Sequence, residues 1–203
     1  MKLNAQQLRN LEEKKALGTS KVVKRNPIFF ILENIYDTYN IGGLFRLADA
    51  ISVEKIYLCG EMEIPPNHKI KKASIGTYKV VDWEYKRSAE AAIADLNLKF
   101  KIKNEKLQIK NQNLSNITIK QYSKSKLNII AVEQHKTAIP YSNANDALPV
   151  VLIFGNETYG VSPETLALAD QIVEIPMFGI NKSLNVIVSA AIVSYWIIHS
   201  FRR

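Results

Sequence analysis

A single cysteine, Cys59, stands among 203 residues. The chain can close no internal disulfide and offers no cysteine-based zinc site. That usage suits a reducing compartment. Histidine is nearly as scarce. His68, His135 and His199 are scattered, without metal-ligand spacing or a neighbouring nucleophile, so each reads as an ordinary surface or part-buried ring. Glycine motifs are incomplete. Gly155 and Gly160 have phosphate-loop spacing, but Val161 stands where the lysine belongs, which excludes a nucleoside triphosphatase. Gly42-Gly43 lacks the third glycine of a dinucleotide fingerprint. No leader is expected at Met1–Asn10, which holds no apolar run. The most apolar stretch, Ser183–Phe201, has thirteen apolar residues in nineteen. It is interrupted by Ser183, Asn185, Ser189, Ser194, His199 and Ser200. A spanning helix needs about 20 mostly apolar residues, so this reads as a buried C-terminal helix and no membrane partner is expected.

What is present is ordinary globular composition, 47% hydrophobic and 23% charged, enough for one domain with a core. The net charge is +8, which favours a polyanionic partner. It is clustered. Residues 1–25 hold seven Lys/Arg against two Glu, and residues 97–128 hold eight Lys against one Glu. The remainder is mildly acidic. The expected organisation is a basic arm over 1–25 and one domain over 26–203, with an insertion at about 97–126. Within the insertion, Lys101–Leu107 and Gln108–Leu114 nearly duplicate each other. Their apolar spacing fits no heptad, so a low-complexity loop with some local helix is expected.

Elsewhere strand and helix patterns alternate. Apolar runs predict strands at Ile28–Leu32, Lys55–Cys59, Tyr78–Val81, Leu127–Val132, Val150–Phe154 and Gln171–Ile175. Helical patterns fall near 40–51, 88–96 and 162–169, an arm at 3–16 precedes them, and a helix at 183–200 ends the pattern. Ser162-Pro163-Glu164 supplies a cap, a first-turn proline and an acid at the positive end of the dipole. This alternation predicts an α/β fold with a mostly parallel sheet covered by helices on both faces. In such sheets ligands bind beyond the carboxyl ends of strands. Three of those ends carry unusual residues: Glu33–Arg46, Gly155–Gly160 and Pro176–Asn185. Arg46, near the start of a helix, could pair with Asp49 or Asp37, or face a ligand.

Together these three loops resemble the motifs of the SpoU (TrmH-like) branch of the SPOUT class of RNA methyltransferases. Asn40-Ile-Gly-Gly-Leu-Phe-Arg46-Leu-Ala-Asp-Ala is similar to N-x-G-x-x-x-R-x-A-D-A. Ile153-Phe-Gly-Asn-Glu157-Thr-Tyr-Gly160 resembles the second motif, a Gly-Asn-Glu turn closed by a glycine. Ile175-Pro-Met-Phe-Gly179 with Ser183-Leu-Asn-Val-Ile-Val-Ser-Ala-Ala191 resembles the third. Lys72-Ala-Ser-Ile-Gly76 is similar to a further family segment. The likeness covers about 27–96 and 127–200.

The resemblance implies a SPOUT fold with a C-terminal trefoil knot and a homodimer with the last helix in its interface. It implies a cytoplasmic enzyme that moves a methyl group from S-adenosylmethionine to a ribose 2′-hydroxyl of tRNA or rRNA, tRNA slightly preferred, without a metal. Gly155, Ile175 and Leu184 are then the cofactor contacts. Asn40, Arg46, Glu157, Ser183 and Asn185 are the active-site polar set. Arginine is a difficult base, its pKa lying above about 12, so Arg46 is expected to hold a phosphate and stabilise the developing alkoxide. Whether it also takes the proton stays open. Two departures bear on this. Thr158 replaces a common family glycine, and Ile51-Ser52 replaces a common Phe-Gly. The alternative reading is a non-catalytic RNA-binding protein of the same fold.

Overall fold

The computed structural model describes residues 2–11, 24–111 and 126–201. Seven strands form one sheet: β1 (Asn26–Glu33), β2 (Val53–Cys59), β3 (Trp83–Lys86), β4 (Asn128–Val132), β5 (Ile139–Pro140), β6 (Val150–Phe154) and β7 (Gln171–Glu174). Their order is β3-β2-β1-β6-β4-β7-β5, and all of their pairings are parallel. The helices are α1 (Ala5–Asn10), α2 (Thr38–Ala50), α3 (His68–Ser74), α4 (Ala89–Asn111), α5 (Pro163–Leu166) and α6 (Val186–Phe201).

The unbroken apolar strands are explained by burial on both faces. On β1, Ile28, Phe30 and Leu32 point into a core shared with Leu44, Phe45 and Ala48 of α2 and Val193 and Ile197 of α6. Phe29 and Ile31 point the opposite way, towards Ala92, Ile93 and Leu96 of α4. That is the period of two of a strand. Phe30 meets Phe154 edge to face at 5.2 Å, tying the two central strands on one side.

Four expectations are corrected. Tyr78–Val81 is not a strand. Thr77–Lys79 is a 3₁₀ turn entered through Gly76 at φ 90°, and Tyr78, Val80 and Val81 are buried by packing, not by pairing. The strand lies just beyond, at Trp83–Lys86, and pairs on one side only. The helix expected at 88–96 continues to Asn111, so the first half of the presumed insertion loop is helical. The rest of that segment, 112–125, lies outside the described residues. The 162–169 helix is only one turn long, Pro163–Leu166, capped by Ser162 as expected. The last helix begins at Val186, leaving Ser183, Leu184 and Asn185 in the loop before it.

The described part of the arm is docked. Asn4 and Gln7 form a reciprocal capping box at the start of α1. At its end, Lys79 Nζ donates to the carbonyls of Arg9 at 3.2 Å and Leu11 at 2.8 Å. Arg25 Nη2 donates to the Val80 carbonyl at 2.6 Å. Both described flanks of residues 12–23 therefore hold the same turn.

Candidate active site

The carboxyl ends of β4, β6 and β7 open onto one cavity of about 520 Å³, lined by residues of those strand ends and the loops that follow them. Gly155, Ile175 and Leu184, the expected cofactor contacts, all line it, as do Glu157, Ser183 and Asn185. Its walls also carry backbone groups of the 155–160 turn.

That turn is tightly folded. A Cβ on Gly155 would lie 2.2 Å from the Gly160 carbonyl carbon and from the Val161 nitrogen, so no side chain fits. Asn156 and Gly160 exchange backbone hydrogen bonds at 3.0 and 2.9 Å. The Asn156 side chain fixes the rest: Oδ1 accepts from the Thr158 and Tyr159 amides at 2.8 and 3.0 Å, and Nδ2 donates to the Asn34 carbonyl at 2.7 Å. The positive φ falls at Gly160, at 71°. Among the described residues, the non-glycine positive φ values belong to Asn34, Ser52 and Ile75. Thr158 therefore sits in ordinary backbone, and the β-branched replacement is accommodated without strain.

Glu157 reaches across to α2. Asp37 caps this helix by accepting from the Tyr39 amide at 2.8 Å. The Glu157 carboxylate lies over the same helix start and accepts from Asn40 Nδ2 at 2.8 Å. The Tyr36 and Asp37 amides add longer contacts at 3.3 and 3.4 Å. An anion belongs at that positive end of the dipole. Asn40 is 5% exposed, and its Oδ1 accepts from Asn185 Nδ2 at 3.0 Å. Asn185 Oδ1 in turn accepts from the Ile187 amide at 2.8 Å, capping α6. Asn40, Glu157 and Asn185 thus form one chain of hydrogen bonds that joins the three loops. A buried amide satisfied at both ends rigidifies what it joins.

Arg46 and Ser183 stand outside this chain. Ser183 lines the cavity and its amide donates to Asn181 Oδ1 at 3.4 Å. Arg46 is exposed on α2, with no ion-pair partner among the described residues. Neither Asp37 nor Asp49 holds it. Burial raises the Asp49 pKa, and the opposing charge that lowers it is that of Arg25. On the helical wheel Arg46 falls between two close approaches. A Cβ on Gly42 would meet the Ala73 Cβ of α3 at 2.4 Å, and one on Gly43 would meet Ile187 Cδ1 of α6 at 2.3 Å. Arg46 lies one turn further along, on the outer face it shares with Tyr39, seven residues earlier.

Two carboxylates brace the site and were not singled out in the sequence. Glu133, just beyond β4, lines the cavity and accepts from the Val161 amide at 2.9 Å. Its signal was its place at a fourth strand end. Glu33, buried at the end of β1, accepts from the Ser162 amide at 3.0 Å and from the Ser162 and Thr165 hydroxyls at 2.8 Å each. Cys59 is not a nucleophile: burial, and then the charge of Glu33, pushes its thiol up to about 12. Among the described residues no group of three or more His, Cys, Asp or Glu side chains is placed to hold a metal ion, and no helix is long and apolar enough to cross a membrane.

Residues 27–195, which contain all three loops, match the SpoU rRNA Methylase family. The chain belongs to that family. It is 27% identical over 173 residues to the tRNA (guanosine(18)-2'-O)-methyltransferase of Thermus thermophilus, covering 85% of this chain and 75% of that one. It is 28% identical over 196 residues to the mitochondrial rRNA methyltransferase 1 of Saccharomyces cerevisiae, covering 90% of this chain but 44% of that one. The solved Aquifex aeolicus TrmH/SpoU tRNA modifying enzyme has a TM-score of 0.66 and 26% identity, over 95% of this chain and 85% of that chain. The SpoU methyltransferase AviRb of Streptomyces viridochromogenes, solved with AdoMet, shares the fold at a TM-score of 0.68 and 19% identity, over 89% of this chain and 63% of that chain. Within the SpoU family match, the hydrogen-bonded chain of Asn40, Glu157 and Asn185 draws one residue from each motif.

Proposed function

We propose that this chain is a methyltransferase that moves the methyl group of S-adenosylmethionine to a ribose 2′-hydroxyl of tRNA or rRNA, tRNA being slightly preferred. The observation that carries this reading is the joining of the three motif loops through Asn40 at the rim of a cavity wide enough for the cofactor. The names of the relatives support it. The cofactor binds among Gly155, Ile175 and Leu184, largely through backbone groups, because the tight 155–160 turn leaves little room for side chains.

The chemistry asked of the protein is modest. A sulfonium methyl is already an activated electrophile and its leaving group needs no acid. The nucleophile is a weak one, a neutral hydroxyl, so its developing charge must be stabilised and its proton shared. Arg46 supplies the positive charge, holding the neighbouring phosphate and the developing alkoxide. Ser183 orients the reacting ribose. Asn40, buried and doubly bonded, is a positioning residue that aligns Glu157 and Asn185.

The working protein is a cytoplasmic homodimer with α6 in its interface, and the C-terminal part is threaded as a trefoil knot. The exposure of Val188 and Tyr195 on this otherwise apolar helix supports the dimer. The basic arm, residues 1–25, docks RNA, and the domain, 26–203, carries the reaction.

The test pairs calorimetric binding of S-adenosylmethionine with transfer of labelled methyl to undermodified tRNA and rRNA, offered separately. The reading expects binding and an RNase-sensitive labelled acceptor. Cofactor binding without any labelled RNA, or no cofactor binding at all, contradicts it, the latter in favour of the RNA-binding alternative.

A further inference from the structure

The cavity is not the only feature that bears on RNA. α3 reads His68-Lys-Ile-Lys-Lys-Ala-Ser74. Ile70 is fully buried and anchors it, whereas His68, Lys69, Lys71 and Lys72 are all exposed. Its outer face is thus wholly made of cationic or titratable side chains. Four other lysines of the body are neutralised, whereas Lys136 and Lys182, far along the chain from α3, have no ion pair among the described residues. Lys55 pairs with Asp82 and Glu84, Lys86 and Lys99 with Glu84 and Asp95, and Lys126 with Asp170. Lys69, Lys71 and Lys72 have no ion-pair partner among the described residues. Glu63, nearby in sequence, accepts from the Asn67 side chain at 3.1 Å.

Helix stability does not account for the cluster. Lys71 and Lys72 in the last turn suit the dipole, but Lys69 lies in the first turn, where a positive charge is unfavourable. Placement adds a second argument. One side of α3 packs on α2 through Ala73 against Gly42, one turn from Arg46. Beyond its far end, Gly76 lies against the Leu8 backbone, and Lys79 holds the end of α1, where Arg9 is exposed. Arg9, the lysines of α3 and Arg46 are therefore carried on neighbouring elements, with α3 adjoining both α1 and α2.

We infer that the outer face of α3 is an RNA-backbone docking surface, on which Lys69, Lys71 and Lys72 contact phosphates and lead the strand towards Arg46. The inference rests on the reading of the cavity as an RNA methyltransferase site and adds the surface that delivers the substrate. Such contacts set register without reading bases, so they act alike on different RNAs.

The test is the triple variant Lys69→Gln, Lys71→Gln, Lys72→Gln in the full chain, titrated with an unmodified tRNA transcript and an rRNA fragment at several salt concentrations. Each lost phosphate contact flattens the log K against log salt slope by about 0.7–0.9. The slope should become shallower by about 2, and affinity should fall about tenfold or more for both RNAs, with S-adenosylmethionine binding and turnover at saturating RNA unchanged. A control, Lys55→Gln, Lys99→Gln, Lys126→Gln, removes the same charge from ion-paired lysines and should move the slope by less than half as much. An unchanged slope, an equal effect in the control, or a shift from dimer to monomer in place of the affinity loss overturns the inference. The last outcome makes the face a contact between copies. If the slope falls as expected but the wild-type protein methylates no RNA, the docking surface stands and the proposed reaction falls.

Discussion

Asn40 donates to Glu157 at 2.8 Å, joining residues 117 positions apart in the chain. The bond fixes the Gly-Asn-Glu turn over the start of α2, while Asn185 holds the other end of the same amide at 3.0 Å. Asn40 is therefore the residue whose side chain bonds to both of the other loops.

Asn40→Ala leaves Glu157 and Asn185 without their shared partner. Turnover should fall by about 10²-fold, a typical cost of losing a positioned polar group, while the melting temperature drops by only a few degrees. Transfer kinetics alongside thermal unfolding check this. Wild-type turnover would mean that the loops hold their places without the amide.

Arg46→Ala removes an exposed cation that pairs with no carboxylate of the described chain. Methyl transfer should be abolished with cofactor affinity nearly unchanged, and Arg46→Lys should recover little because a point charge cannot replace the bidentate fork. Calorimetry and single-turnover transfer separate the two effects. A variant that keeps wild-type turnover removes Arg46 from the site.

Gly155→Ala places a methyl where the Gly160 carbonyl carbon would be 2.2 Å away. The turn must open, so S-adenosylmethionine binding should weaken by more than tenfold. The fold should persist because β6 itself is untouched. Circular dichroism with calorimetry tests both halves of that statement.

Glu33→Ala strips a buried carboxylate from three donors on Ser162 and Thr165. Thr165 is fully buried, so its hydroxyl loses a partner that water cannot easily replace. Destabilisation of about 2–3 kcal/mol is expected, measured by denaturant unfolding. A change near zero would show that the turn repacks freely.

Glu84 gives the stability a pH dependence. The hydrogen bond from Lys86, reinforced by Lys55 and Lys99, lowers its carboxyl to about 2. A folded pKa below the unfolded one, about 4.3, contributes stability that is complete above pH 5. That contribution is lost as pH falls from about 5 towards 2. The wild type should lose more melting temperature over that interval than Glu84→Gln. Glu84 is part exposed, so the difference should be small and should shrink in high salt.

Much of this architecture was legible in the residues. Val150–Phe154 is a strand at the expected bounds, because a buried parallel strand needs an unbroken apolar run. Ser162-Pro163-Glu164 starts a helix as its capping chemistry requires. The same rule misread Tyr78–Val81, since an apolar run can be buried under a helix without joining a sheet. It also missed β3, a polar edge strand read as Trp-Glu-Tyr-Lys. In the site, residue types were legible and geometry was not. Nothing local to Asn40 shows that it is buried, or that its partners are Glu157 and Asn185. Glu33 and Glu133 look like ordinary surface acids until the turn they brace is folded against them.

The central claim is tested most directly by identifying the product. Labelled S-adenosylmethionine is incubated with the protein and undermodified tRNA or rRNA, and each RNA is digested to nucleosides for mass spectrometry. The account predicts a 2′-O-methylnucleoside, with tRNA the slightly preferred source. A base-methylated nucleoside, or label on an acceptor that survives RNase, would contradict it.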